Sequence, residues 1–342
     1  MVGHTWRSLL FGIEGWRHYM KSGFESASKS WGPSEHLKYD LRGKHVMITG
    51  ANSGIGYETA KQLAKQGALV HMVCRNEVRG LAARDLIRAE IEGESEKKVN
   101  LTVCDVSNQR DIQKLVTDFT KSNTPLHVLV NNAGCMVHTR METSEGIETN
   151  YATNAVGVYA LTSGLTPVLR KTSLESNSPS RVICVASAGM LTEKIELDDP
   201  EMHNGTFDGT RQYAKNKRTQ VALIELFGKR EESENRENGK IIFLSQHPGW
   251  SDTAALKVAL PGFYDSLKAK LRSPWEGADT VVWLATCKAE LLNQGGFYFD
   301  RKEVAKHVSF NALTGTTYSD KQVLEMESRL KETCDKAIGG KA

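Results

Sequence analysis

The six cysteines of this 342-residue chain lie far apart and form no C-x-x-C pair, which removes the usual spacing of a zinc site or a redox dithiol. Cys74, Cys104 and Cys184 each sit inside an apolar, strand-like run, so buried reduced thiols and a reducing, cytoplasmic setting are expected, with no metal. No long block of one charge sign occurs. With 44 Lys and Arg against 41 Asp and Glu, the formal charge is +3, and nucleic acid is not expected as an obligatory partner. Long apolar runs are missing too. The N-terminal run at residues 9–13 includes a glycine and is too short to span a bilayer or to serve as a signal-peptide core. Neither an internal repeat nor a low-complexity tract occurs, and 39% hydrophobic content lets a chain of this length bury a full core.

What is present is an ordered series of Val- and Ile-rich runs at residues 46–48, 68–74, 99–103, 128–130, 182–185 and 241–244, with 296–299 as a seventh. Helical patterns separate them. Near-continuous apolar strands joined through helices predict an α/β fold, a Rossmann-type doubly wound parallel sheet of about seven strands in a single domain. The expected organisation is an amphipathic helix and linker over residues 1–42, the sheet domain over 43–318, and a C-terminal helix and tail over 319–342. Residues 229–240, KREESENRENGK, read as a solvated loop.

Near the N-terminus, Trp6, Leu9, Leu10, Ile13, Trp16 and Met20 form a helical stripe opposed by Arg7, Glu14, Arg17 and Lys21. Two readings stay open for residues 5–20: peripheral contact with a membrane surface, or packing of the stripe against the domain.

Ligands of a doubly wound sheet bind beyond the carboxyl ends of its strands. The first such end is Thr49-Gly50-Ala51-Asn52-Ser53-Gly54-Ile55-Gly56, directly before the helical pattern that begins at Ile55. Its glycines permit a tight turn and close approach to a pyrophosphate, held by unpaired amides at a helix N-terminus. Gly50, Asn52, Ser53, Gly54, Ile55 and Gly56 are therefore candidate dinucleotide contacts. After the second run comes Cys74-Arg75-Asn76, with no carboxylate for a ribose hydroxyl. Arg75 suits a 2′-phosphate, so NADP(H) is expected over NAD(H), the plain alternative being a solvated charge. Asp105 and Val106 can bracket an adenine, although Asp105 is equally a helix N-cap candidate. The fourth strand ends in Asn131-Asn132-Ala133-Gly134, whose small residues let backbone approach a ribose. Further on stand Asn154, Ser187, and the pair Tyr213 and Lys217, spaced by four so that they share a helix face. An ammonium and an oxidised nicotinamide beside that tyrosine would lower its pKa from about 10 toward neutrality.

Taken in order over about residues 43 to 300, TGANSGIG, NNAG, Asn154, Ser187, YAKNK and HPGWSDT resemble the short-chain dehydrogenase/reductase family. The stretches NNAGCMV, GVYALT, FDGT, KNKR and HPGW, with RHYMKSGFESA near the N-terminus, narrow the resemblance to one group within it. The resemblance implies Tyr213 as general acid in reduction, Ser187 holding the carbonyl oxygen, and Lys217 binding ribose and lowering the tyrosine pKa. It implies a water on Asn154, Pro248, Gly249 and Thr253 beside the nicotinamide, Trp250 facing substrate, and a homodimer joined helix to helix. Two departures stand out: the paired serines of the family become Ala186-Ser187, and residues 189–212 are longer than usual. Met190, Leu191 and the apolar stretch 254–264, where the family folds a mobile lid, point to a small lipophilic carbonyl or alcohol such as a retinoid, steroid or fatty aldehyde. The expected activity is an NADP(H)-dependent reductase. A nucleotide-sugar epimerase or dehydratase is a weaker alternative because of the glycine pattern, and a membrane-bound cofactor sensor is a third, separable by deleting residues 1–30.

Overall fold

Branched and apolar side chains fill β1 (His45–Thr49), β2 (Leu69–Cys74), β3 (Val99–Val103), β4 (Val128–Asn131), β5 (Ser180–Val185) and β6 (Ile241–Gln246), with aromatics in β7 (Gly296–Phe299). In the computed structural model, which describes residues 2–31, 39–91, 98–234, 239–308 and 315–339, they form one sheet in the order β3-β2-β1-β4-β5-β6-β7-β8. All pairings through β7 are parallel, and β8 (Lys302–Glu303) is antiparallel. This eighth strand exceeds the expected seven because two exposed residues carry no periodic signal; Asp300 and Arg301, at φ of 48° and 60°, turn the chain back to form it. Chain order reverses between β1 and β4, so the crevice beyond their carboxyl ends is the topological switch point.

The helices, in chain order, are α1 (Val2–Glu14), α2 (Lys21–Ser28), α3 (Gly54–Lys65), α4 (Glu77–Ala89), α5 (Gln109–Lys121), α6 (Gly157–Ser176), α7 (Gly209–Ser233), α8 (Ala254–Ala259), α9 (Pro261–Leu267), α10 (Pro274–Thr286) and α11 (Asp320–Gly339). Leu63 and Ala64 of α3, Ala83 and Ile87 of α4 and Val281 and Leu284 of α10 pack with one face of the sheet. Leu115 of α5, Leu165 of α6 and Leu223 of α7 pack with the other. Into that second core α11 sends Val323, Met326, Leu330, Cys334 and Ala337, spaced by three or four to form one apolar stripe.

The loop reading of residues 229–240 is corrected. Residues 229–233 continue α7, Lys229 bonds Asp320 at 2.7 Å, and Arg230 grips Glu327 through two bonds of 2.6 Å. Charge complementarity with α11 extends the helix where composition alone suggests solvent. The centre of that run, residues 235–238, lies outside the described residues, as do 32–38 of the expected linker and 340–342 of the tail.

The described part of the N-terminal segment, residues 2–31, packs on the domain. Arg272, fully buried, donates to Asp300 at 2.6 and 2.9 Å and to the carbonyls of His18 at 2.7 Å and Tyr19 at 3.1 Å. The rings of Phe299 and Phe24 lie against its guanidinium. Arg7 Nε donates to the Thr192 carbonyl at 2.7 Å, and Trp250 N donates to Tyr19 O at 2.8 Å. A Cβ on Gly15 would lie 2.2 Å from the Trp250 indole, so this glycine lets α1 settle on that ring. The packed face is thus Arg7, Phe11, Gly15 and Tyr19. Of the expected stripe, Met20 is buried, Leu10 is half-buried, and Trp6, Leu9, Ile13 and Trp16 are exposed. No described helix is long and apolar enough to cross a membrane.

Removing one partner of a buried, multiply bonded ion pair leaves the other charge uncompensated. Arg272→Met is therefore expected to lower unfolding free energy by about 3 to 5 kcal/mol, measured by urea denaturation. Arg272→Lys should recover little, since one ammonium cannot reproduce the guanidinium fork.

Candidate active site

The glycine turn is built by crowding. Gly50 has φ 65°, and a Cβ there would sit 3.0 Å from Ala133 Cα; one on Gly56 would sit 2.4 Å from both Gly50 O and Asn132 Nδ2. Thr49 Oγ1 accepts from the amides of Asn132 at 3.0 Å and Ala133 at 2.9 Å, while Asn132 Nδ2 donates to Thr49 O at 2.9 Å. These bonds stitch the ends of β1 and β4 together and bring Asn132, Ala133 and Gly134 beside Gly50, Asn52, Ser53, Gly54, Ile55 and Gly56. Ser53 takes the N-cap position of α3 without a side-chain cap, which leaves first-turn amides for an anion. Thr253 approaches from β6: its methyl would lie 3.2 Å from a Cβ on Gly54. Backbone bared of Cβ atoms, an uncapped helix start and a threonine closing over it fit a dinucleotide pyrophosphate.

Around this cradle the remaining predicted contacts divide. Arg75 is exposed directly after the carboxyl end of β2, the strand that pairs with β1 beside the glycine turn. Cys74, just before it, is buried, and burial pushes its thiol up to about 11 against the pull of the nearby Ala51 and Asn52 amides. Asp105 Oδ1 accepts from Ser107 N and Oγ at 2.9 and 2.8 Å. The alternative of Asp105 as N-cap is corrected, because Asn108 caps α5. The Val106 carbonyl is where a Cβ on Gly157 would fall, at 2.1 Å, so α6 starts hard against this loop.

Ser187, Tyr213, Lys217 and Asn154 come together beyond β5 and β4. Ser187 follows β5 and starts a 3₁₀ turn (Ala188–Thr192), with its Oγ accepting from Gly189 N at 3.2 Å. Asp208 caps α7 through the amides of Thr210 and Arg211, both at 3.0 Å, and sets where the helix begins. One turn in, Tyr213 stands beside Ser187, close enough for the serine hydroxyl to favour the phenolate. Lys217 Nζ lies 5.3 Å from the Tyr213 ring centre and donates to Val185 O at 2.8 Å. A Cβ on Gly134 would be 3.0 Å from Asn154 Oδ1 and 3.5 Å from Lys217 Nζ, which closes the set.

Asn154 stands in a π-turn (Ala152–Val156), where its side chain donates to Cys135 O at 2.8 Å and accepts from Cys135 N at 3.0 Å. Its own carbonyl accepts from Gln220 Nε2 at 2.6 Å. Asn154 therefore clasps the loop after β4, which no spacing in the sequence reveals. Within the chain, burial outweighs the effect of Ser187 and raises the Tyr213 pKa; the expected fall toward neutrality rests on an oxidised nicotinamide beside the phenol. Burial also lowers Lys217, to about 8.

The expected substrate residues scatter. Met190 is fully buried with Ala186, Val221 and Phe297, and its carbonyl accepts from Arg218 Nη2 at 2.8 Å, so it supports the fold and does not face substrate. Trp250 packs against Phe11, Tyr19 and Phe263. Gly249, at φ 71°, brings the backbone against Arg272, where a Cβ would be 2.6 Å from Nε. The long stretch 189–212 is tied to α1 and α7: Glu193 meets His4 at 3.0 Å and Arg211 at 3.2 Å, and Glu196 meets Lys215 at 2.8 Å. Above the site, α8 and α9 carry the apolar stretch, held by His138 Nε2, which donates to Ala259 O at 2.5 Å. Arg272 and Tyr19, at the rear wall, were invisible to sequence patterns because more than 250 residues separate them.

A lysine whose folded pKa is below its unfolded value near 10.4 binds protons less readily when folded. Below about pH 8 both states hold the proton and the folded state bears the full cost of burying it; from there to about 10.4 stability rises with pH. The melting-temperature difference between Lys217→Met and the parent, measured without cofactor, should therefore favour the variant more at pH 7 than at pH 10.

A short chain dehydrogenase family model matches residues 44–196. Dehydrogenase/reductase SDR family member 12 from Bos taurus is 42% identical over 327 residues, covering 95% of this chain and 98% of that protein. The Homo sapiens counterpart is 40% identical, with coverage of 96% and 98%. Retinol dehydrogenase 12 from Bos taurus is 30% identical over 77% of this chain and 79% of its own length. Among solved structures, a 3-ketoacyl-(acyl-carrier-protein) reductase from Brucella melitensis complexed with NADH shares the fold, with a TM-score of 0.57, 24% identity and coverage of 75% and 96%.

Proposed function

The chain belongs to the short-chain dehydrogenase/reductase family, and we propose that it is an NADP(H)-dependent oxidoreductase that reduces a lipophilic aldehyde or ketone and reversibly oxidises the alcohol. The observation that carries this reading is the meeting of Ser187, Tyr213 and the buried Lys217 beyond β5, with the Lys217 ammonium 5.3 Å from the Tyr213 ring centre. When bound, the cofactor supplies the hydride. The residues of the chain supply the rest. As a carbonyl becomes an alkoxide, two hydroxyl donors aimed at its oxygen stabilise the developing charge more than the starting carbonyl. Ser187 holds that oxygen. Tyr213, its phenol kept protonated by burial, is in the form needed to give up a proton in reduction. Lys217, charged below about pH 8, holds the ribose and favours the tyrosinate left behind. Asn154 acts by positioning the loop after β4.

The glycine turn, Asn132, Ala133, Gly134, Pro248, Gly249 and Thr253 would hold the cofactor, with Asp105 and Val106 at the adenine and Arg75 at the 2′-phosphate. The lack of a carboxylate at residues 75 and 76 supports the choice of NADP(H). A lipophilic substrate is supported by the apolar residues of α8 and α9 and by the likeness to proteins named retinol dehydrogenases. Because α11 packs over α5, α6 and α7, a homodimer joined through bare faces of those helices is not part of this reading. Deleting residues 1–30 does not separate an enzyme from a sensor, since Arg7, His18 and Tyr19 support the site walls.

Tyr213→Phe should lower turnover of NADPH with retinal, steroid ketones or fatty aldehydes by roughly 10²- to 10⁴-fold while NADPH binding persists. Parent protein that binds NADPH and turns over none of this panel would count against the reductase reading. In fluorescence titrations, Arg75→Ala should weaken NADPH by about tenfold to a hundredfold and leave NADH nearly unchanged. Equal losses for both cofactors would remove the 2′-phosphate role.

A further inference from the structure

A helix on the surface of a globular protein keeps its apolar side inward and its polar side to water. α1 and the turn that continues it do otherwise. Arg7, Phe11 and Gly15 form the side packed on the domain, while Trp6, Leu9, Ile13 and Trp16 are 56%, 54%, 41% and 57% exposed. At about 100° per residue, these four fall within a sector of roughly 80° on the side opposite the packed one. Along the axis the two tryptophans are about 15 Å apart. Ser8, Gly12 and Arg17 join Leu9, Ile13 and Trp16 around a shallow open hollow of about 470 Å³.

The rim is mainly cationic. Lys270 Nζ lies 4.8 Å from the Trp16 ring centre, and Lys21 N donates to Lys270 O at 2.9 Å, so these two lysines and Arg17 gather at one end. The acids nearby, Glu14 and Glu25, stand beside His18 at 3.7 Å and Lys21 at 4.0 Å. The stripe also adjoins the cover of the site, because Trp250 touches Phe11 on α1 and Phe263 on α9 at ring distances of 6.1 and 5.0 Å.

We propose that α1 docks this protein on an anionic lipid bilayer. Trp6, Leu9, Ile13 and Trp16 enter the interface, and Arg17, Lys21 and Lys270 lie among the headgroups. The stripe is one helix wide, wall-less, ended by tryptophan on both sides and edged by cations. That form matches a helix lying in the headgroup boundary better than a groove that encloses a peptide. Since Arg7 and the Arg272 clamp fix α1 to the domain, docking also fixes the orientation of α8 and α9 toward the bilayer. The proposal goes beyond the reductase reading and does not require turnover.

The test uses the full chain and vesicles of phosphatidylcholine, alone or with about a third phosphatidylserine. The parent should sediment with the anionic vesicles and less with the neutral ones, and brominated lipid should quench its tryptophan emission. Leu9→Gln with Ile13→Gln should cut the bound fraction by about tenfold or more at unchanged melting temperature, because both side chains are exposed. Lys21→Gln with Lys270→Gln should weaken binding to the anionic vesicles severalfold. Lack of vesicle binding and quenching by the parent, or equal binding by the Leu9 and Ile13 variant, would overturn the proposal. So would self-association of the parent that this variant abolishes, which would assign the stripe to a second copy. Activity plays no part in these readouts, so they stand or fall apart from the reductase reading.

Discussion

Arg272 is the point on which three distant parts of the chain depend. Its guanidinium takes Asp300 from the β7–β8 turn and the carbonyls of His18 and Tyr19 from the N-terminal segment. Its main chain pairs with the loop after β6, accepting from Asp252 N at 2.7 Å and donating to Trp250 O at 2.8 Å. That loop carries Thr253 to the glycine turn. A buried guanidinium needs every donor matched, and here the matching fixes the relative placement of an added N-terminal segment, the rear wall and the cover of the cleft.

The chemistry of the site follows from a competition between burial and charge. α7 carries Tyr213 and Lys217 one turn apart into a dry corner closed by Val185, Cys184 and Cys135. Burial disfavours both the phenolate and the ammonium, so the phenol rises and the lysine falls to about 8. The two groups, nearly equal in proton affinity in water, are thereby driven apart, which the bare spacing of four residues does not suggest. What favours the phenolate is the Ser187 hydroxyl, the Lys217 ammonium while it stays charged, and any positive charge that arrives with a ligand.

The N-terminal helix shows how one sequence pattern can serve two surfaces. Its inner side carries Arg7 together with small and aromatic residues and accommodates Trp250; its outer side keeps large apolar groups in water next to Lys270. An exposed apolar stripe costs solubility and adds nothing to the fold, so its presence calls for a surface to cover it.

The doubly wound sheet, seven of its strands, the glycine turn and the Tyr213, Lys217 pair were legible in the sequence alone. They rest on local rules: branched runs for parallel strands, Cβ-free positions for tight turns, and a period of four for one helix face. Fold class and the candidate chemistry are determined at that level. Tertiary structure decided the rest. That Asn154 clasps Cys135, that Met190 is core, that residues 229–233 extend α7 toward α11 and that Arg272 binds the N-terminal segment all depend on partners far apart in the chain. Spacing along a chain reports faces and turns, whereas hydrogen bonds, burial and the pKa shifts they cause depend on which distant segment folding brings alongside.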